Sequence, residues 1–402
     1  MKSELARRIV FTLGALLVYR LGSYIPLPGV HRPPDQFVHV HVSAGAQFSI
    51  FSLRILPYLT AAILIQLVSM VSSRLGALPR SGEAGRRKIA RYTIGLAVFL
   101  AAAQAYGIAH GLQGVPGLVS EPGGVFLLST TVTLTGGTVF LIWLSEQITA
   151  RGIGNGLALI LFAGVATDMP RAVASMIEST WRRELSIEGV ALLTILWVAL
   201  VGVVVFVERA RRRVPVEFAG RKLGDGFVLA QSTHLSLKLN SAGLMPTVVA
   251  SWLYLLPLMV ASLLLDRNSP WLAAANRMTP EAHMAGMILS SVAIVILAFV
   301  YTSFVVDPEH AADSLRKRGA AIPGIEPGEA TAAHLDRIVS YTTCIGAVYL
   351  AAVLLVPELW FSYGLSPFYL GGASVLVVVC TVLDIETQVR GLTLTGPGGV
   401  YS

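Results

Sequence analysis

Ten apolar stretches, each about long enough to cross a bilayer, alternate along this 402-residue chain with connections whose basic residues gather on one side. A membrane helix needs roughly 20 mostly apolar residues. Candidates recur near 6–26, 49–72, 92–112, 124–148, 157–178, 188–208, 243–265, 282–305, 338–357 and 367–386. With the N-terminus inside, 22 of the 30 lysines and arginines fall in inner segments, six in outer connections, and Arg20 and Arg54 within spans. That asymmetry predicts a polytopic, all-α membrane protein with both termini cytoplasmic. Charged residues are only 13% of the chain, about half the share usual in soluble proteins. The net charge of +7 therefore reads as inner loops facing anionic headgroups or a large anionic partner, not as nucleic-acid binding. The first apolar segment has span length and no small-residue cleavage site, so no cleaved leader is expected.

Two inner connections are long. The stretch 209–240 has Gly and Pro breaks between alternating segments and predicts a small hairpin. The stretch 306–337 predicts a short amphipathic helix, a Pro/Gly turn and a capped helix start at Thr331. Polar loops of this length are where a soluble partner would dock; the plainer reading is a solvated linker. The chain reads as one membrane domain over 1–402, and five spans on each side would permit halves of about 1–180 and 181–390 related as an inverted repeat. The residues alone do not demonstrate that repeat.

Chemistry-bearing patterns are sparse. HExxH, GxSxG and GxxxxGK[ST] are absent, so neither an enzyme nor a cofactor is expected. His39 and His41 have a spacing that places them on one side of an extended segment, but with only His31 nearby a plain loop is the better reading than a metal site. Cys344 and Cys380 lie in apolar spans and read as packing residues. Arg20, Arg54, Glu146, Asp384 and Glu386 stand near span ends and can reach an interface, which weakens the case for an ion-coupled transporter. GIGNG at 152–156 has no phosphate-binding Lys and joins two spans, so it reads as a tight turn.

Several segments in order carry more. FSLRILPYLTAAILIQLV (51–68) is a span with Pro57 in its first turn, and RSGEAGRRKIARYT (80–93) leads into the third span. WLSEQITARGIGNGLALILFAGV (143–165), ERARRRVPVEFAGRK, STHLSLKLNSAGLMP, IPGIEPGEATAAHLDRI (322–338) and YLGGASVLVVVCTVLDIETQV (369–389) follow with consistent spacing. Together they resemble the SecY family, the channel subunit of the bacterial Sec protein translocon, from about residue 6 to 390. The resemblance implies a ten-helix bundle of two five-helix halves in the bacterial inner membrane. Between the halves it implies an hourglass pore for unfolded polypeptides, narrowed by a ring of aliphatic side chains. Matched motif by motif, the ring falls on Ile55, Leu59, Leu157, Leu161, Val248 and Val377. The i,i+4 pairs Ile55/Leu59 and Leu157/Leu161 each put two apolar groups on one helix face. A narrow apolar collar resists wetting yet has no strong site to trap a passing chain.

The resemblance also implies a lateral gate that releases membrane segments into lipid, with polar positions at Thr60, Gln104 and Ser251 and with Trp252 where a small polar residue is common. Such groups could hydrogen-bond across a closed gate. Implied partners are small SecE-like and SecG-like membrane subunits, with the SecA motor ATPase or a ribosome on the cytoplasmic face. The docking candidates are Arg211, Arg212, Arg213, Arg221, Lys222, Arg316, Lys317, Arg318 and Glu326. An arginine cluster suits phosphate or acidic surfaces.

Some positions depart from that pattern. The segment 31–49, with two prolines, is shorter than the stretch that forms a plug helix in the family. Glu326 stands where Arg is usual, Arg54 stands where Gly is usual beside the ring, and the basic C-terminal tail is missing. The rivals are a non-conducting or accessory relative of the channel and a small-solute secondary transporter. The latter needs a mid-membrane polar site built from broken helices, which the sequence does not display.

Overall fold

The computed structural model describes residues 2–30, 48–76, 78, 82–114, 117–182, 186–218, 222–223, 226–227, 232–251, 269–271, 284–368 and 370–394. Nine of the ten expected spans coincide with a described helix. These are α1 (Lys2–Gly22), α2 (Leu56–Val71), α4 (Glu83–Gln113), α5 (Gly124–Arg151), α6 (Gly156–Trp181), α7 (Ile187–Arg209), α8 (Met284–Val305), α10 (Glu329–Ser362) and α11 (Gly372–Leu394); α3 (Ser73–Gly76) and α9 (Pro308–Lys317) are short polar helices. The span expected at 243–265 is described only over its first turns, 245–251. Seven of the described helices are long and apolar enough to cross a membrane, and α2 holds a shorter apolar stretch, Leu56–Ser69. Their outer faces carry large apolar side chains, such as Leu128 at 68% and Phe206 at 74% exposure. A surface of that kind is stable against hydrocarbon, where helices keep every backbone group bonded internally.

The chain divides into two compact units, 1–169 with 381–402, and 170–380. In the first, α4 packs between α2 and α5, and α1 lies along α5. Its core gathers Tyr19, Phe51, Ile55, Leu141, Ile148 and Ile160, with Leu157 and Leu161 packed against it. Stacked rings run Tyr19, Phe51, Phe140, with centroids 6.0 and 5.8 Å apart, and so tie α1 to α5 through the turn before α2.

The expected second span is not helical throughout. Residues 49–55 form a turn, closed by Ser52 N–H to the Ser49 carbonyl at 2.9 Å and Arg54 N–H to the Phe51 carbonyl at 2.8 Å. The Ser52 hydroxyl accepts from Ser49 N–H and donates to the Ser49 carbonyl. Such local side-chain bonds compete with helix, and Arg54 at φ 53 leaves the helical region altogether. Helix starts at Leu56 with Pro57 in its first turn, where the missing N–H needs no partner.

The second unit packs α8 against α10 over Ala242, Ala298 and Ala347; small side chains let membrane helices approach closely. The hairpin expected at 209–240 is present as β1 (Arg211–Phe218) against β4 (Ser232–Lys238), extended by β5 (Ala320–Ala321) into the sheet order β4-β1-β5; β2 (Lys222–Leu223) pairs with β3 (Gly226–Phe227). The all-α bundle thus carries a small antiparallel sheet on its polar loops. Val214, Ile322, Leu335 and Ile338 form the core under this sheet, with Leu235, Leu237 and Leu315 at its margin.

The structure changes two details of the sequence reading. α10 starts at Glu329 behind Gly328, and the Thr331 hydroxyl donates to the Glu326 carbonyl at 2.8 Å instead of capping a helix start. Neither cysteine is in a disulfide, and Cys344 is exposed rather than packed.

Candidate functional site

The GIGNG turn is a junction of four elements. Gly154 takes φ 85, where a side chain would be strained. Backbone N–H groups would be orphaned at such a helix start, and four of those in this turn find a side-chain acceptor. Ile153 donates to the Thr12 hydroxyl of α1 at 3.0 Å, Gly154 to Gln388 Oε1 of α11 at 2.8 Å, and Gly156 to the Thr149 hydroxyl of α5 at 2.8 Å. Leu157 N–H donates to Asn155 Oδ1 at 3.0 Å, which makes Asn155 the N-cap of α6. The Thr381 hydroxyl adds a long 3.4 Å contact to the Ala158 carbonyl. The first turns of α6 are therefore held in place from three helices.

Those turns present Leu157 and Leu161, both half-buried against the core that contains Ile55. Ile55 is fully buried and Leu59 4% exposed. Val248 lies in the second unit on the short described helix 245–251, and Val377 is buried on α11.

A polar network stands at the base of the hairpin. The Asn240 side-chain amide donates to Glu208 at 2.8 Å and to the Gly243 carbonyl at 3.2 Å, and its Oδ1 accepts from Gly243 N–H at 3.0 Å. The Tyr349 hydroxyl donates to the same Glu208 oxygen at 3.3 Å. Asn240 and Tyr349 are both buried and Glu208 is half-buried, so the network meets the hydrogen-bonding needs of its buried members. The network joins the end of α7, the entry to the 245–251 helix and the middle of α10.

Among the gate candidates, the Thr60 hydroxyl donates to the Leu56 carbonyl and the Ser251 hydroxyl to Thr247, both at 2.9 Å and both within their own helices. Gln104 is buried on α4, and its Nε2 has no hydrogen-bond partner among the described residues. Trp252 lies outside the described residues, as do Arg221, the segment 31–47 with its three histidines, and the side chain of Lys222.

The docking candidates are displayed on the sheet and the adjoining helix. Arg211, Arg212 and Arg213 are exposed on β1 while Val214 and Val216 are buried. Register pairs Arg211 with Lys238 and Arg213 with Ser236, which gathers two arginines and a lysine on one face of the sheet. Arg316, Lys317 and Arg318 are exposed at the end of α9. Asp313 lies 3.5 Å from Arg316 and 2.6 Å from Lys317, and the hydrogen bond from Lys317 holds its carboxyl below the usual range. Glu326 is exposed at the tip of the turn between Gly324 and Gly328.

Glu208, Asn155 and Tyr349 were not among the sequence candidates. Asn155 had a readable signal, since Asn two residues before an apolar helical run is a cap pattern. Glu208 had none, because a carboxylate beside Arg209 at the end of a span reads as the start of a solvated loop.

The family model for SecY matches residues 49–386. The protein translocase subunit SecY of Escherichia coli strain K12 is 40% identical over 409 residues, covering 98% of this chain and 92% of the relative. The chain belongs to the SecY family. Its Vibrio cholerae relative, also a protein translocase subunit SecY, is 39% identical over 96% of this chain and 91% of its own length. The fold agrees. A solved structure described as "The structure of a protein conducting channel" superimposes with a TM-score of 0.71 at 18% identity, over 97% of this chain and 93% of that one. Sec61 in the canine ribosome-channel complex follows at 0.67 and 16% identity, over the same shares. SecY membership accounts for the succession of apolar helices and the long basic loops together.

Proposed function

We propose that this SecY-family chain is the pore-forming subunit of a protein translocase, passing unfolded polypeptides across a bacterial inner membrane and releasing apolar segments into lipid. The observation that carries this reading is the near-full-length identity to curated translocase subunits. The proposed orientation puts both termini and the basic sheet in the cytoplasm, in keeping with the distribution of arginine and lysine. Chain identity and fold favour this over the small-solute transporter. No bond is made or broken by the chain itself; driving force would come from a SecA-like ATPase or a ribosome, and SecE-like and SecG-like subunits would complete the assembly.

Ile55, Leu59, Leu157, Leu161, Val248 and Val377 are proposed as the constriction lining. The fixed start of α6 supports this for Leu157 and Leu161, because a collar that must seal and reseal needs well-positioned side chains. Thr60, Gln104, Ser251 and Trp252 are proposed along the lateral opening. Gln104 is the strongest of them, since a buried amide donor without a described partner is costly in a closed core and is relieved by a polar neighbour. Arg211, Arg212, Arg213, Arg221, Lys222, Arg316, Lys317 and Arg318 are proposed as the docking surface, with Glu326 altering it by charge reversal.

The test places a photo-crosslinking residue at Val248 in membranes that hold a stalled secretory precursor. A crosslink that requires the precursor's signal sequence is the expected result. No crosslink from folded, assembled protein would remove Val248 from the path and bring the non-conducting reading forward.

A further inference from the structure

Strand β4 runs directly into the turn 239–243, and that turn into the helix 245–251. The turn is clamped on two sides, and every partner lies in the second unit. Toward the end of α7, Leu239 N–H donates to the Ala210 carbonyl at 3.0 Å and the Asn240 amide to Glu208 at 2.8 Å. Toward α10, the Tyr349 hydroxyl reaches the same carboxylate. Gly346 stands three residues before Tyr349 and so on the same face of α10. A Cβ there would lie 3.2 Å from the Leu239 carbonyl oxygen and 3.4 Å from Asn240 Cα. The bare glycine is thus the seat on which the turn rests. Asn240 also bonds both the N–H and the carbonyl of Gly243, whose φ of 64° suits glycine. Ala242 packs with Ala298 of α8 and Ala347 of α10. The clamp ends two residues before Met245, the first residue of the helix that carries Val248 and Ser251.

We propose that Glu208, Asn240, Gly346 and Tyr349 are positioning residues: they hold the root of the 245–251 helix on α10 in the resting protein, so that a signal sequence must supply the free energy that releases it. An arriving segment shifts a helix between two positions only by its difference in affinity for them. The strength of the clamp then sets how apolar a signal sequence must be. This rests on the proposed channel function and extends it to residues that touch no passing chain.

The test uses Asn240→Ala, Tyr349→Phe and Gly346→Ala, each purified with the subunits that accompany it and reconstituted with a motor ATPase. Tyr349→Phe keeps the ring and deletes only a hydroxyl, so it is expected to fold. Gly346→Ala pushes the turn off its seat without deleting any bond. Two quantities are read. The first is hydrogen exchange over 239–251, expected to quicken about tenfold in Asn240→Ala, the weight of one hydrogen bond to a charged group. The second is transport of a precursor with a shortened apolar signal, divided by transport of the intact precursor. That ratio is expected to rise in all three variants, whereas Val214→Ala, which loosens packing elsewhere in the unit, is expected to lower both precursors together. Unchanged exchange over 239–251 overturns the clamp and leaves the channel function standing. Faster exchange with an unchanged ratio, or an equal loss of both precursors, shows a merely structural turn and also overturns the proposal. No transport of the intact precursor by the unmodified, assembled protein overturns the channel function, and the proposal with it.

Discussion

The side-chain amide of Asn240 donates to the carboxylate of Glu208 at 2.8 Å, joining the two ends of a loop 32 residues apart. The same carboxylate receives the Tyr349 hydroxyl. The hairpin is thereby anchored to the helix that follows it and to α10 by a polar joint, beside the apolar core that Val214 shares with Leu335 and Ile338 of α10.

Replacing Asn240 by Ala removes one donor from Glu208 and both bonds to Gly243. The loss is expected to be about 2 kcal/mol of stability, as for a hydrogen bond to a charged group. Asn240→Asp should cost more, because it sets a second carboxylate against Glu208. Denaturant titration in detergent, with both variants beside the unmodified protein, checks the order.

Thr12 supplies the acceptor for Ile153 N–H, whose residue is 5% exposed. Thr12→Val keeps the shape and orphans that donor, at a cost of about 1–3 kcal/mol. Thr12→Ser keeps the oxygen and should stay close to the unmodified protein. If both variants unfold alike, the bond is not what holds the turn.

Adjacent glycines of α5 should behave in opposite ways. A Cβ on Gly137 would collide with the Ile50 carbonyl oxygen, whereas one on Gly136 would meet nothing within 4 Å. Gly137→Ala is expected to lose about 1–3 kcal/mol through overpacking, and Gly136→Ala to gain about 0.5–1 kcal/mol through helix propensity. Thermal unfolding of the two variants checks the signs.

The backbone strain at Arg54, φ 53°, is separable from the contacts of its side chain. Arg54→Gly and Arg54→Ala delete the same contacts, but only Ala keeps the left-handed penalty. Gly is therefore expected to be more stable than Ala by about 1–2 kcal/mol. Equal stability would show that the turn relaxes to another conformation.

Sheet and surface should respond differently to substitution. Val214, 3% exposed under the sheet, is expected to cost about 1–3 kcal/mol when replaced by Ala. Arg211→Ser and Arg213→Ser should change stability by less than about 0.5 kcal/mol while, on the proposed docking role, weakening binding of a motor ATPase or ribosome, measured by co-sedimentation with the membranes. Loss of stability in the arginine variants would assign them to packing instead of docking.

Much of this protein is legible residue by residue. Membrane class and most spans follow from hydropathy summed over some 20 neighbours, and the ordered motifs identify the family. The hairpin at 209–240 was readable because alternation is local. The turn at 49–55 was not: its apolar letters match a span, and the helix is denied by hydroxyl bonds at Ser49 and Ser52 and by the φ of Arg54. Thr60 and Ser251 show the same limit, since a hydroxyl in a span can bond across to another helix or back to its own turn, and here it takes the latter.

The sequence by itself determined the bilayer as solvent, the succession of helices and the family, because each is a property of composition and spacing along the chain. Only the tertiary structure decided which acceptor receives Gly154 N–H, since Gln388 lies 234 residues away. It alone decided that Glu208 is met by Asn240 and Tyr349. Such pairings depend on where separate helices come to rest, and a single donor or acceptor leaves no periodic trace in the residues around it.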